Sequence, residues 1–177
     1  LHADLIVVGR RGRRGLASMM VGDATRKAIG FADCNVLVVP KAAELWRRRI
    51  LLATDGSRHG ERAAQAAQAL ARRFSLPVTV VSVLKAGFDE ARRAEGQRAV
   101  ERVRQDFSTE GLAVEGHVLE GDSAQEIIAC AERVGADLIV MGTKTGPAYP
   151  YDEEVEGQGL AMPGRLPHPL LQAMRRM

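Results

Sequence analysis

Three glycines carry the clearest chemical signal in this chain. Gly9, Gly12 and Gly22 form a Gly-x2-Gly-x9-Gly pattern between an apolar run and a helical pattern that opens at Asp23. Glycine lets a backbone turn through positive φ and approach a ligand closely. The free N–H groups of a helix N-terminus attract phosphate. A strand followed by such a loop and a helix start therefore points to phosphate binding. The spacing is neither a Walker loop nor the Gly-x-Gly-x-x-Gly dinucleotide fingerprint. Arg10, Arg11, Arg13 and Arg14 lie among the glycines, where they read equally as phosphate partners or as a solvated basic loop. Catalytic groups do not assemble. His2, His59, His117 and His168 are far apart in sequence, with no i,i+4 pair and no partner cysteine, and each reads as an ordinary histidine. Cys34 and Cys130 have neither metal-ligand spacing nor a disulfide framework. They read as buried small residues in a reducing cytoplasm. No catalytic or metal-binding residue is assigned.

The elements that must hold the glycine loop follow from the apolar pattern. Leu5 to Val8 is continuous and apolar, as expected of a strand buried on both faces of a parallel sheet. Asp23 is expected to cap a short helix to Phe31, and Val36 to Val39 is a second strand stopped by Pro40. Charged residues 41 to 49 read as a linker. Ile50 to Ala53 is the next strand, with Thr54-Asp55-Gly56-Ser57 as its turn. A helix over Arg58 to Phe74 follows from the stripe Ala63, Ala66, Ala67, Leu70, Ala71 and Phe74. Val78 to Leu84 is a strand, Asp89 to Glu110 a helix burying Val100, Val103 and Phe107, and Val114 to Leu119 a strand. Ser123 and Glu126 form a capping box for a helix with Ile127, Ile128, Ala131 and Val134 on its core face.

The chain then repeats itself. Ala136-Asp137-Leu138-Ile139-Val140-Met141-Gly142 restates Ala3-Asp4-Leu5-Ile6-Val7-Val8-Gly9 one domain length later, the mark of a duplicated unit. Alternating strands and helices of this length predict an α/β fold: an open parallel sheet with helices on both faces. The expected division is 1–40, the end of a first unit; 41–49, a linker; 50–146, a second unit lacking its last helix and strand; and 147–177, a mostly irregular tail. That tail holds most of the prolines beside an acidic run from Asp152 to Glu156. A frameshift upstream of the tail would account for the loss of the second unit's last helix and strand.

Composition narrows the class. Aromatics are 4% of residues, so the core must be built from Ala, Val, Leu and Ile. A net charge of +3 places the arginines in local clusters rather than a global field, which argues against a nucleic-acid binder. No apolar run approaches the roughly 18 residues of a membrane span, and the start has no signal-peptide pattern. The absence of an initiator methionine fits a fragment.

Together these segments resemble the universal stress protein family. The resemblance rests on the glycine pattern, on Cys34-Asn35-Val36-Leu37-Val38-Val39, on Ile50-Leu51-Leu52-Ala53-Thr54-Asp55-Gly56-Ser57, on Gly121-Asp122-Ser123-Ala124, and on the repeated strand. It implies a tandem-domain, Rossmann-like protein of the cytoplasm, present here as a fragment. By that resemblance the activity is stress-response sensing through ATP binding, with Mg²⁺, and at most weak ATPase turnover. Gly9, Gly12, Gly22 and Thr25 match phosphate and ribose contacts. Asp55 matches an acidic residue near the adenine, and Val80 to Val83, centred on Val81, matches the strand whose backbone reads the adenine edge. Gly142 repeats Gly9 in the second copy. Family domains pair through their final strands, so Val36, Leu37, Val38 and Val39 are expected to mediate self-association or domain pairing.

Two departures oppose nucleotide binding. Asp23 stands where the ATP-binding branch has Ser or Thr. A carboxylate about 4 Å from a phosphate charge costs on the order of 4 kcal/mol at an effective dielectric near 20. In the second copy Thr145 replaces the glycine matching Gly12, and no Gly-(Ser/Thr) follows. The alternative is a dimerisation or interaction module that does not bind nucleotide.

Overall fold

The computed structural model describes residues 4–10, 23–32, 34–40, 43, 45–85, 87, 90–142 and 170–172. The elements in order are β1 (Leu5–Arg10), α1 (Asp23–Phe31), β2 (Asn35–Pro40), β3 (Ile50–Ala53), α2 (Arg58–Phe74), β4 (Val78–Leu84), α3 (Glu90–Thr109), β5 (Val114–Glu120), α4 (Ser123–Arg133), β6 (Leu138–Met141) and β7 (Leu170–Gln172). The strands form one sheet in the order β1-β2-β7-β6-β3-β4-β5. β6, β3, β4 and β5 are mutually parallel, and β1, β2 and β7 are parallel to one another. β7 runs antiparallel to β6, so the two sets point in opposite directions. The α/β class with parallel strands and helices on both faces is as expected; the antiparallel seam was not.

Side chains alternate across a strand, and here both faces are covered. Ile50, Leu52, Val78, Val80, Leu138 and Val140 face α2 and α3, meeting Ala63, Ala67, Ala71, Val100, Val103 and Phe107. Leu51, Ala53, Val81 and Ile139 face α4 through Cys130 and Ala131. Double-sided burial is why β3 and β6 read as continuous apolar runs. α2 buries Ala63, Ala67 and Ala71, small side chains that allow a close approach to the sheet. Phe74, expected on the same stripe, is exposed and edge-on to Trp46, ring centroids 6.1 Å apart. Trp46 packs against the same core from residues expected to be a plain linker. α1 buries Ile29 and Ala32 against Val36 and Val38, with Ile6, Val8 and Met141 alongside.

Local details shift at several ends. β2 ends at Pro40, which is its last residue, and begins one residue earlier than expected, at Asn35. Asp23 is the first helical residue of α1, within the usual variation of helix ends. α4 is capped by Asp122, whose carboxylate accepts the Gln125 N–H at 3.0 Å, not by Ser123. A carboxylate is an N-cap as good as serine, and Gly121-Asp122-Ser123 offers both one residue apart. Within the tail expected to be mostly irregular, Leu170–Gln172 forms β7; the remainder lies outside the described residues.

Candidate functional site at the carboxyl edge of β3 and β6

The chain lays down β3, adds β4 and β5 on one side, and returns to place β6 on the other. Strand order thus reverses between β3 and β6. In open α/β sheets, ligands bind outside the carboxyl ends of strands at such a switch point. Two segments leave the sheet there: the turn Thr54 to Ser57 after β3, and Gly142 after β6.

Side chains bonded to nearby backbone build the turn. The Thr54 N–H donates to the Val81 carbonyl at 2.9 Å, extending the ladder beyond Ala53. Thr54 Oγ1 accepts the Gly56 N–H at 3.2 Å, and Asp55 Oδ1 accepts the Ser57 N–H at 2.9 Å. The second bond is an Asx-turn. Ser57 then caps α2, its Oγ accepting the Gly60 N–H at 3.3 Å. The N-terminus of α2 is thereby aimed at the sheet edge.

Backbone packs on backbone where α2 begins. A Cβ on Gly142 would lie 2.2 Å from the His59 carbonyl oxygen, and one on Gly60 would lie 2.6 Å from Thr54 Oγ1. Only glycine fits at either place. His59, whose main chain touches Gly142, also has a buried Nδ1 without a hydrogen-bond partner.

The expected site residues do not gather in one place. Asp55 and Gly142 share this edge. Val81 is buried in the core, and its carbonyl is bonded to Thr54; Val83 and Leu84 are the partly exposed residues nearer the strand end. Gly9 lies on β1, four strand positions from β3, on the order of 20 Å across the sheet. Because β1 and β3 run in opposite directions, their carboxyl ends lie at opposite edges. Thr25 is buried on α1. Asp23 opens α1, while its side chain, and Gly12 and Gly22 entirely, lie outside the described residues. Val36, Leu37 and Val38 pair with Leu170, Leu171 and Gln172 of the same chain.

A cleft of about 220 Å³ opens between α2 and α3 beside this turn. Thr54 and Gly56 line it with Gln65, Gln68, Arg102 and Asp106, whereas Asp55, Val81 and Gly142 do not. It is therefore a neighbour of the switch point rather than the same site. Among the described residues, no group of three or more His, Cys, Asp and Glu could hold a metal ion. None of their helices is long and apolar enough to cross a membrane.

Three functional details escaped sequence reading. Ser57 as the cap and Gly60 as the contact are signalled by a glycine in the first turn of an alanine-rich helix. Asp137 belongs to the repeated phrase, and its carboxylate accepts the backbone N–H groups of Arg47 at 2.7 Å, Arg48 at 3.1 Å and Arg49 at 3.2 Å. Nothing in the local sequence marks that clamp, because its partners are distant in the chain.

The sheet, its switch point and the glycine exit define an α/β protein with a Rossmann-like fold. A profile of the Universal stress protein family matches residues 1–40 and 47–148, more than half of the chain. The chain belongs to the universal stress protein family. A universal stress protein of Methanocaldococcus jannaschii is 33% identical over 114 residues, covering 56% of this chain and 67% of that protein. One from Thermus aquaticus is 36% identical over 111 residues, covering 55% and 77%. A crystal structure of a family member from Burkholderia pseudomallei is 32% identical, covers 54% of this chain and 80% of its own, and superposes with a TM-score of 0.50. A universal stress protein from Archaeoglobus fulgidus matches 98% of this chain at 20% identity and a TM-score of 0.69. This chain spans 63% of that one, and the likeness is one of fold.

Proposed function

We propose that this chain binds an adenine nucleotide, ATP with Mg²⁺, at the carboxyl edge between β3 and β6, and that it acts as a stress-response sensor or regulator through occupancy rather than turnover. The observation that carries this reading is the convergence, at the switch point, of the Asp55 turn, the Gly142 exit and the N-terminus of α2. Asp55 is exposed, and its carboxylate retains acceptor capacity beyond the Asx-turn bond. His59, whose main chain packs on Gly142, has a buried Nδ1 without a hydrogen-bond partner. Mg²⁺ keeps several waters and binds chiefly through substrate phosphates, so it would arrive with the nucleotide rather than in a protein cage.

Isothermal titration of the full chain with Mg-ATP tests this reading. Saturable heat is expected, with affinity about tenfold weaker in Asp55→Ala, the equivalent of one lost charged hydrogen bond. No heat up to millimolar ATP would sink it and leave the second reading, an interaction module that does not bind nucleotide. That alternative draws on the separation of Gly9 from Asp55 and on the use of Asp55 in its own turn.

A further inference from the structure

The cleft between α2 and α3 is walled by residues between Thr54 and Phe107, inside the unit that β3, β4, β5 and β6 build. Its walls are two matched helix faces. On α2, Glu61, Ala64, Gln65 and Gln68 stand at i, i+3, i+4 and i+7, and on α3 Ala99, Arg102, Val103 and Asp106 stand at the same spacing. Space remains because both faces carry alanine, at positions 64 and 99, where a longer side chain would fill it. Val103 and Phe107, 8% and 2% exposed, give the cleft an apolar floor. The rim is polar, and its charges are unequally engaged. Arg102 is held by Glu61 at 3.3 Å. Among the described residues, the Asp106 carboxylate takes part in no ion pair.

We infer that this cleft binds a small organic cation, a primary ammonium on a short apolar chain. An ammonium has three N–H donors and no acceptor, and the rim answers with the Asp106 carboxylate and the amide oxygens of Gln65 and Gln68. The chain of the ligand lies on Val103 and Phe107, between Ala64 and Ala99. Glu61 and Asp106 against Arg102 leave the lining negative, and Arg102 is already committed, so an anion is disfavoured. Size limits the ligand as well. The cleft, about 220 Å³, falls below the roughly 300 Å³ at which drug-sized pockets begin. It has room for about seven waters, which a chain of about six carbons and its head group would replace.

The test is an NMR titration of the full chain with hexylammonium chloride. Amide shifts of Gln65, Val103 and Phe107 should follow one saturable curve with Kd about 1 mM, a strength within reach of so small a ligand. Hexanoate and hexanol, with the same chain length, should bind about tenfold more weakly or not at all. Asp106→Asn should weaken hexylammonium about tenfold. Asp106 is exposed, so the melt of that variant followed through Trp46 should match the parent. Ala64→Leu, which fills the cleft, should abolish the shifts; where that variant does not fold, Asp106→Asn and the two uncharged or anionic analogues still decide. No saturation at about ten times the expected Kd, equal binding of hexanoate or hexanol, or an unchanged affinity in Asp106→Asn overturns the proposal. Neither Asp55 nor Gly142 lines the cleft, and no nucleotide enters the titration, so its failure is distinct from failure of the ATP reading.

Discussion

Cys130 and Gly142 show how one atom decides what a position can do. Cys130 is buried in the face covered by α4, and desolvation there pushes its thiol pKa up. The neighbouring Arg133, within 3.5 Å of the sulfur, opposes that shift only in part. Burial therefore favours the protonated thiol, and a group whose pKa is raised by folding supports the fold below its unfolded pKa. As pH rises above about 8.5, the unfolded value, the unfolded chain ionises Cys130 while the folded chain still holds the proton, so stability falls. Cys130→Ala should remove part of the alkaline decline in stability, measured as urea midpoints from pH 8 to 10. In the native protein Cys130 should also react with iodoacetamide far more slowly than the partly exposed Cys34. Equal labelling rates, or an unchanged alkaline slope in the variant, would contradict this account. Gly142 is the complementary case. Its missing Cβ is what lets α2 begin directly against β6, so the glycine serves packing as well as any ligand.

At the scale of elements, the clamp of Asp137 on Arg47 to Arg49 turns residues expected to be a linker into part of the fold. It fixes where β3 starts, and Trp46, next to the clamped amides, packs on the core. Asp137→Ala leaves three amides without their carboxylate and should cost about 2 kcal/mol. For a domain of this size that is a fall of roughly 5 °C in Tm. Trp46 is the only tryptophan, so its fluorescence should report the loss directly. A melt identical to the parent would show the clamp to be incidental. The bounds of β3, α2 and β4 were legible because apolar runs buried on both faces and an alanine stripe leave little ambiguity. The Asp137 clamp, the Asp122 cap and β7 were not. A cap choice between adjacent Asp and Ser is decided by backbone geometry, and the other two depend on partners distant in sequence. Of the expected site residues, Asp55 and Gly142 lie at the same sheet edge, while Val81 is buried with its carbonyl bonded to Thr54; periodicity shows that a strand is buried but not which residue reaches its open end.

For the whole molecule, strand direction decides which of the two glycine copies can share a ligand with Asp55. β6 and β3 are parallel neighbours, so Gly142 and Asp55 emerge at the same edge. β1 and β2 reach β6 only through β7, which reverses direction, so Gly9 emerges at the opposite edge. A nucleotide bound beside Asp55 within one chain therefore does not touch Gly9. Gly9 is an exposed strand residue with open space about its Cα, and valine favours a strand. Gly9→Val should accordingly fold normally and keep the Mg-ATP affinity within about twofold, less than half the free energy of a tenfold change. Asp55→Ala in the same titration supplies the contrasting loss. If Gly9→Val instead weakened ATP tenfold, the phosphates would have to reach the first copy. Two chains would then have to bring opposite edges together, and a stoichiometry of one nucleotide per pair of chains would accompany the loss.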